Sequence, residues 1–176
     1  MRQRVANLEE QGQSYDAVIE APFGRLGIIC PNDALESVDF LPADYPLRAP
    51  QQPFARRVVA ELNAYFADPQ HPFDLPLQRH ATPFQERVWR ALLEIPPGFA
   101  RTYGSLAEEL GSSARAVGRA CRSNPLPIIV PCHRVVAKVG LGGFSGADRG
   151  KMLTTKQWLL THEGVVRQHS FLFLDE

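Results

Sequence analysis

Apolar residues in the first part of the chain come in short runs, Ala17 to Glu20, Leu26 to Cys30 and Leu35 to Phe40, broken by "APFG" and "PND". Runs of this length between turn residues predict strands, and three in succession predict a small antiparallel sheet. After the turn-rich "PADYPLRAPQQP" the period changes. In "FARRVVAELNAYFAD", Phe54, Val58, Val59, Leu62 and Phe66 recur at helical spacing and predict a helix lying across one face of that sheet. "DPQHPFDLPLQRHATPF" carries neither period and is rich in proline and polar residues, the composition of a connection between domains. The boundary is therefore placed near residue 80, separating an α/β domain (1–80) from a second domain (81–176).

The second domain reads as mostly helical. Thr82 before Pro83 is an N-cap followed by a first-turn proline, and Val88, Trp89, Leu92 and Leu93 supply the apolar face until "PPG" ends the helix. "TYGSLAEELGSSARAVGRACRSN" predicts two helices, about Tyr103 to Leu110 and Ser113 to Ser123, joined at Gly111-Ser112 in the manner of a helix-turn-helix. On the second of these, Arg115, Arg119 and Arg122 share a face, while Ala114, Ala116, Gly118 and Ala120 keep the surface low enough to approach a groove closely. The same segment is equally compatible with a solvated helix in a three-helix packing unit. "PLPIIVP" predicts one short buried strand, "AKVGLGGFSGADRG" a glycine-rich loop, and "KMLTTKQWLLTHEG" a helix stopped by Gly164. The tail "VVRQHSFLFLDE" reads as a strand or a pendant arm.

At 176 residues, with 44% hydrophobic and 22% charged residues, the chain has the balance of a folded protein of one or two small domains. No stretch reaches the roughly eighteen consecutive apolar residues that a membrane span needs, and "MRQRVANLEEQGQ" lacks the apolar segment of a secretion signal, so a cytoplasmic location is expected. Three cysteines, Cys30, Cys121 and Cys132, without CxxC spacing indicate neither a disulfide framework nor a zinc site, and no metal is expected. Net charge is zero, but unevenly spread. Residues 1–81 carry 7 Lys+Arg against 11 Asp+Glu, and residues 82–176 carry 12 against 8, so −4 lies beside +4. A nucleic-acid partner would bind the second half.

The unusual chemistry is at Cys132, which stands behind a proline and before His133 and Arg134 at the end of an apolar run. A thiol reacts as its thiolate, so it needs a base or a positive charge nearby, and His133 and Arg134 are the nearest candidates. Adjacent residues of an extended chain point to opposite faces, so His133 reaches the sulfur only through a bridging water or if the chain turns. A histidine base needs its tautomer fixed, and Glu163 is the acid chosen for that. Cys30 and Cys121 are read as structural, and His80, His162 and His169 as surface or packing residues. Two further functions fit parts of the pattern: an acyl-transfer triad of Cys132, His133 and Glu163, and a transcription regulator built on the helix-turn-helix.

Taken together, "TPFQERVWRALLEIPPG", "RTYGSLAEELG", "ARAVGRACRSNPLPIIVPCHRVV", "GGFSG" and "KQWLLTHEG" resemble the O6-alkylguanine-DNA alkyltransferases, in the family's order from Thr82 to Gly164. The resemblance implies an α+β chain with a ribonuclease-H-like first domain and a winged-helix-like second domain. It implies stoichiometric transfer of an alkyl group from O6-alkylguanine, or O4-alkylthymine, in duplex DNA to Cys132. By the family pattern His133 is the water-assisted base, Glu163 orients it and Asn124 braces the active-site turn. Tyr103 helps rotate the nucleotide out and protonates the departing guanine. Arg115 replaces the extruded nucleotide, and Ala114, Ala116, Gly118 and Arg122 complete the surface that meets the minor groove. Pro127, Val135, Phe144, Ser145 and Lys156 belong to the substrate pocket. The expected protein is a monomer without cofactor that acts once. Phe144 stands where many relatives carry tyrosine, and "ADRGKMLTT" is longer than in some of them. Relatives that grip lesions without repairing them replace the cysteine, so Cys132 argues against that class.

Overall fold

The computed structural model describes residues 14–147 and 150–165, so the tail from residue 166, including His169, lies outside the described residues. The chain divides into two compact units, Met1–Arg79 and His80–Glu176.

In the first unit, strands β1 (Ala17–Ala21), β2 (Gly24–Ile29) and β3 (Ser37–Leu41) form an antiparallel sheet in the order β1-β2-β3. Ala17 pairs with Ile28 and Leu26 with Phe40, which puts Ala17, Leu26, Ile28, Val38 and Phe40 into the core. The third strand starts later than the apolar run suggests, because Leu35 leaves to bridge Leu77 in parallel. Helix α1 (Pro53–Ala67) buries Phe54, Ala55, Val58, Leu62 and Tyr65. Val59 and Phe66, expected on that seam, lie at its half-buried edges, because the i, i+4, i+8, i+11 row runs through Tyr65. The proline-rich stretch after α1 is not a free connection. Phe73 lies 5.4 Å from Tyr65 between ring centroids, His71 hydrogen-bonds Glu61 (2.9 Å), and Gln78 N donates to Leu35 O (2.9 Å), so side chains and backbone tie it to the first unit.

The second unit is helical: α2 (Pro83–Leu93), α3 (Tyr103–Glu109), α4 (Ala114–Arg122) and α5 (Lys151–His162), with the two-residue strands β4 (Arg101–Thr102) and β5 (Val135–Val136) paired in parallel. The α2 cap is a full capping box, Thr82 Oγ1 accepting from Gln85 N and Thr82 N donating to Gln85 Oε1. Side-chain caps at Thr102 and Ser113 start α3 and α4, and Gly111, at φ +60°, turns the chain between them. Trp89 fixes α2 against α4 through a hydrogen bond from Nε1 to Ala120 O (2.9 Å).

"PLPIIVP" is buried as expected but is not a strand. It is a compact turn in which Val130 N donates to Leu126 O (2.8 Å). Pro125, Pro127 and Pro131 have no N–H to give a ladder, and Ile128 sits at φ +78°. That region costs a β-branched residue roughly 1–3 kcal/mol and persists only where the surroundings impose it.

Candidate active site

One side chain holds the turn before Cys132. Asn124 Oδ1 accepts from Leu126 N (3.0 Å), while its Nδ2 donates to Val130 O (2.8 Å) and to Cys132 Sγ (3.3 Å). The chain then winds into a single 3-10 turn, Cys132–Arg134. The extended geometry that would place His133 opposite the sulfur is therefore absent.

His133 is fully buried, with Nε2 2.8 Å from Glu163 Oε1. Glu163 caps the C-terminus of α5, and Gly164 follows at φ +83°. Arg134, a candidate for acidifying the thiol, instead grips the same carboxylate. Its Nε donates to Oε2 (2.9 Å) and its Nη2 to Oε1 (2.9 Å), while Nη1 donates to Ile95 O. Burial pushes the Glu163 carboxyl up, but the His133 ring and the Arg134 guanidinium outweigh it and hold it at about 2. Burial pushes His133 down against the pull of Glu163, so the ring is neutral. An ionised carboxylate can only accept, so the hydrogen-bond network assigns the ring proton to Nε2 and leaves Nδ1 as a lone-pair acceptor. Nδ1 is buried and has no partner among the described residues.

Cys132 Sγ is buried, which pushes its thiol up, while the Asn124 hydrogen bond and the Lys156 charge pull it down. Lys156 is itself wholly buried, its Nζ donating to the carbonyls of Val135 (2.6 Å), Leu141 (2.6 Å) and Gly143 (3.0 Å). Burial lowers its ammonium to about 8 against the pull of the Cys132 and Cys121 thiols. It also lies 5.6 Å from the centroid of the Tyr103 ring, whose hydroxyl donates to Gly143 O (3.0 Å). Burial pushes the Tyr103 phenol up, so the resting site holds it protonated, with a proton to give.

Cys132 and Tyr103 border a cavity of about 730 Å³. Cys132, Tyr103, Phe144 and Ser145 line it, and from α4 so do Ala114, Gly118, Cys121 and Arg122, which share one helical face. The opposite wall is the glycine-rich loop. Gly142, at φ +65°, has no room for a side chain, since a Cβ would lie 3.0 Å from both Ala137 N and the Tyr103 ring. A Cβ on Gly146 would lie 2.6 Å from Arg122 Nε, so α4 and the loop meet there.

Of the expected site residues, Cys132, Tyr103, Phe144 and Ser145 line the cavity, whereas Asn124, His133, Glu163 and Lys156 do not border it and are linked to its lining through hydrogen bonds or chain neighbours. Arg115 is exposed on α4, and Ala116 is half-buried beside it. Pro127, Val135 and Lys156, expected in the pocket wall, are buried behind it: Pro127 in the Asn124 turn, Val135 at the start of β5, Lys156 under the loop carbonyls. Cys121 departs from its structural reading, because it lines the cavity. The role of Arg134 as a carboxylate clamp goes beyond the sequence reading, although its adjacency to His133 is a signal that one acid can serve both. Among the described residues no cluster of three metal-ligating side chains occurs, and no helix is long and apolar enough to cross a membrane.

Comparison with known proteins agrees with this geometry. Residues 83–165 match the family model described as 6-O-methylguanine DNA methyltransferase, DNA binding domain. The chain is 38% identical over 158 residues to the methylated-DNA–protein-cysteine methyltransferase of Methanosarcina acetivorans, covering 85% of this chain and 98% of that one. It is 37% identical to the constitutive enzyme of that name from Bacillus subtilis, over 76% of this chain and 88% of the other. A crystal structure of Mycobacterium tuberculosis OGT in complex with DNA superposes with a TM-score of 0.68 at 37% identity, over 84% of this chain and 91% of that one. With these relatives spanning both units and the cysteine site assembled as their name requires, the chain belongs to the methylated-DNA–protein-cysteine methyltransferase family.

Proposed function

We propose that this protein repairs DNA by direct reversal, taking the alkyl group from O6-alkylguanine onto Cys132 in a single, stoichiometric event. The observation that carries this reading is the placement of Cys132 on the cavity wall, with Asn124 hydrogen-bonded to its sulfur and the neighbouring His133 held by Glu163, whose carboxylate Arg134 clamps.

The target atom lies inside the base stack, so the nucleotide must leave it, at a cost of about a few kcal/mol. α4 enters the minor groove on its small residues Ala114, Ala116 and Gly118. Arg115 fills the gap in the stack, and Arg122 holds the backbone near the loop. In the cavity His133 Nδ1 takes the Cys132 proton through a bridging water. The thiolate displaces the alkyl carbon, the C–O6 bond breaks, and the Tyr103 hydroxyl supplies a proton to the departing guanine. Phe144 and Ser145 border the base, and Lys156 holds the loop that carries them. The product is a thioether with no ready leaving group, so each molecule acts once.

Contacts to backbone and shape, rather than to base edges, give little sequence selectivity. O4-alkylthymine is a second substrate of the same chemistry. The protein acts as a monomer, and its three free cysteines suit the cytoplasm. The test is a titration of duplex containing O6-methylguanine, followed by nucleoside analysis. One guanine restored per protein molecule, with no further turnover, is expected. Continued turnover, or a lesion left intact, overturns the reading, and a burst of ester hydrolysis with turnover would favour the acyl-transfer alternative.

A further inference from the structure

Cys121 is a nucleophile on the cavity wall that the repair reaction leaves unused. It occupies the last turn of α4, is 6% exposed, and borders the same cavity as Cys132, which is 3% exposed. One residue touches both. The backbone N–H of Asn124 donates to Cys121 O (3.3 Å), while its side-chain Nδ2 donates to Cys132 Sγ (3.3 Å). The end of α4 and the 3-10 turn are thus linked through a single amino acid, and Cys121 and Cys132 both line one cavity.

The electrostatics couple the pair. Burial pushes each thiol up, a thiolate at Cys132 pushes Cys121 further, and the Lys156 charge pulls both back. Both sulfurs are therefore thiols at rest, and two neighbouring thiols beside one ammonium give up one proton more readily than two. That is the arrangement from which a dithiol oxidises.

We propose that Cys121 is a resolving cysteine for Cys132: hydrogen peroxide entering the cavity converts the pair into an intramolecular disulfide that reversibly masks the alkyl acceptor. The Cys132 thiolate attacks one peroxide oxygen, the O–O bond breaks, and sulfenic acid and hydroxide form. The Cys121 sulfur then attacks the Cys132 sulfur, the S–O bond breaks and water leaves. Two thiols lose two electrons and two protons, and the peroxide, as oxidant, becomes two waters. The disulfide diverts Cys132 from sulfinic and sulfonic acids, which a thiol reductant does not reverse. The importance of the mask rests on Cys132 being the alkyl acceptor, whereas the disulfide itself does not.

The experiment uses the full chain carrying Cys30→Ala, so that only these two thiols react. The protein is treated with excess hydrogen peroxide, free thiols are blocked, and intact and peptide masses are read. A mass loss of two hydrogens, a linked Cys121 and Cys132 peptide, and loss of methyl uptake restored by dithiothreitol are expected. With Cys121→Ala added, Cys132 should gain two or three oxygens and methyl uptake should stay lost after dithiothreitol, each protein being normalised to its own untreated value. Oxygen gain without the linked peptide, a disulfide only between molecules, or equal recovery of the Cys121→Ala protein would overturn the proposal. If untreated protein takes up no methyl group the repair reading fails, while the linked peptide still decides this one.

Discussion

The two units treat polar side chains differently. Among the described residues the first buries Ser37 and Asp39, whereas the second buries His133, Arg134, Thr155, Lys156 and Glu163. Asp39 accepts from the Tyr15 hydroxyl at 3.5 Å, a long hydrogen bond inside a mostly apolar sheet and helix. In the second unit four ionisable groups leave water together, and each is tied down by partners at hydrogen-bond distance. Burying charge is costly unless it is paired, and an apolar replacement is often as stable. The first unit is built as a core. The second accepts the cost of buried charge around one sulfur, which locates its chemistry.

The sharpest way to break this contrast is at the cysteines. Cys132→Ala should abolish methyl uptake while still binding lesion-bearing duplex, and Cys30→Ala in the first unit should leave uptake unchanged; both are read by transfer and gel-shift assays. Next in size is the charge network. Arg134→Ala takes two hydrogen bonds from the buried Glu163 carboxylate and should destabilise the second unit by ~3–5 kcal/mol, whereas Asp39→Asn should cost the first unit only about 1 kcal/mol. Both tryptophans, Trp89 and Trp158, lie in the second unit, so denaturation followed by tryptophan fluorescence separates the two effects.

Arg115→Ala is smaller and selective. In the proposed role Arg115 supplies a stacking contact of about 1–3 kcal/mol, so repair of duplex should slow roughly 5- to 100-fold while reaction with the free base is unchanged. Equal losses on both substrates would remove the finger role.

The smallest effects are in pH. Glu163 is held below its ordinary 4.5 in the fold, so its contribution is fully present above that value and is lost as pH falls towards about 2. His133 is lowered from 6.5, so the unfolded chain binds the extra proton and stability falls as pH drops below 6.5. Lys156, lowered from 10.5 to about 8, has the same sign in another window: stability should rise as pH increases from 8 to 10.5. Tryptophan-detected melting across these windows checks all three directions.

Periodicity disclosed the sheet, α1 and the helix pair, because each buries one face and repeats at 2 or 3.6 residues. It failed at "PLPIIVP", where apolar content suggested a strand and three prolines with an asparagine brace made a turn instead. The reactive cysteine was legible because a proline, a histidine and an arginine flank it. The Arg134 clamp and the place of Cys121 were not, because both depend on Glu163, Asn124 and α4 arriving from distant parts of the chain. Lys156 reads as an ordinary helix lysine until the loop carbonyls close over it.

The most direct measurement is peptide mass spectrometry of the protein after incubation with duplex containing O6-methylguanine. One CH2 should be gained on the peptide carrying Cys132 and none on those carrying Cys30 or Cys121. An unmodified Cys132 beside repaired DNA, or a methyl group on another residue, would contradict the assignment of this sulfur as the acceptor.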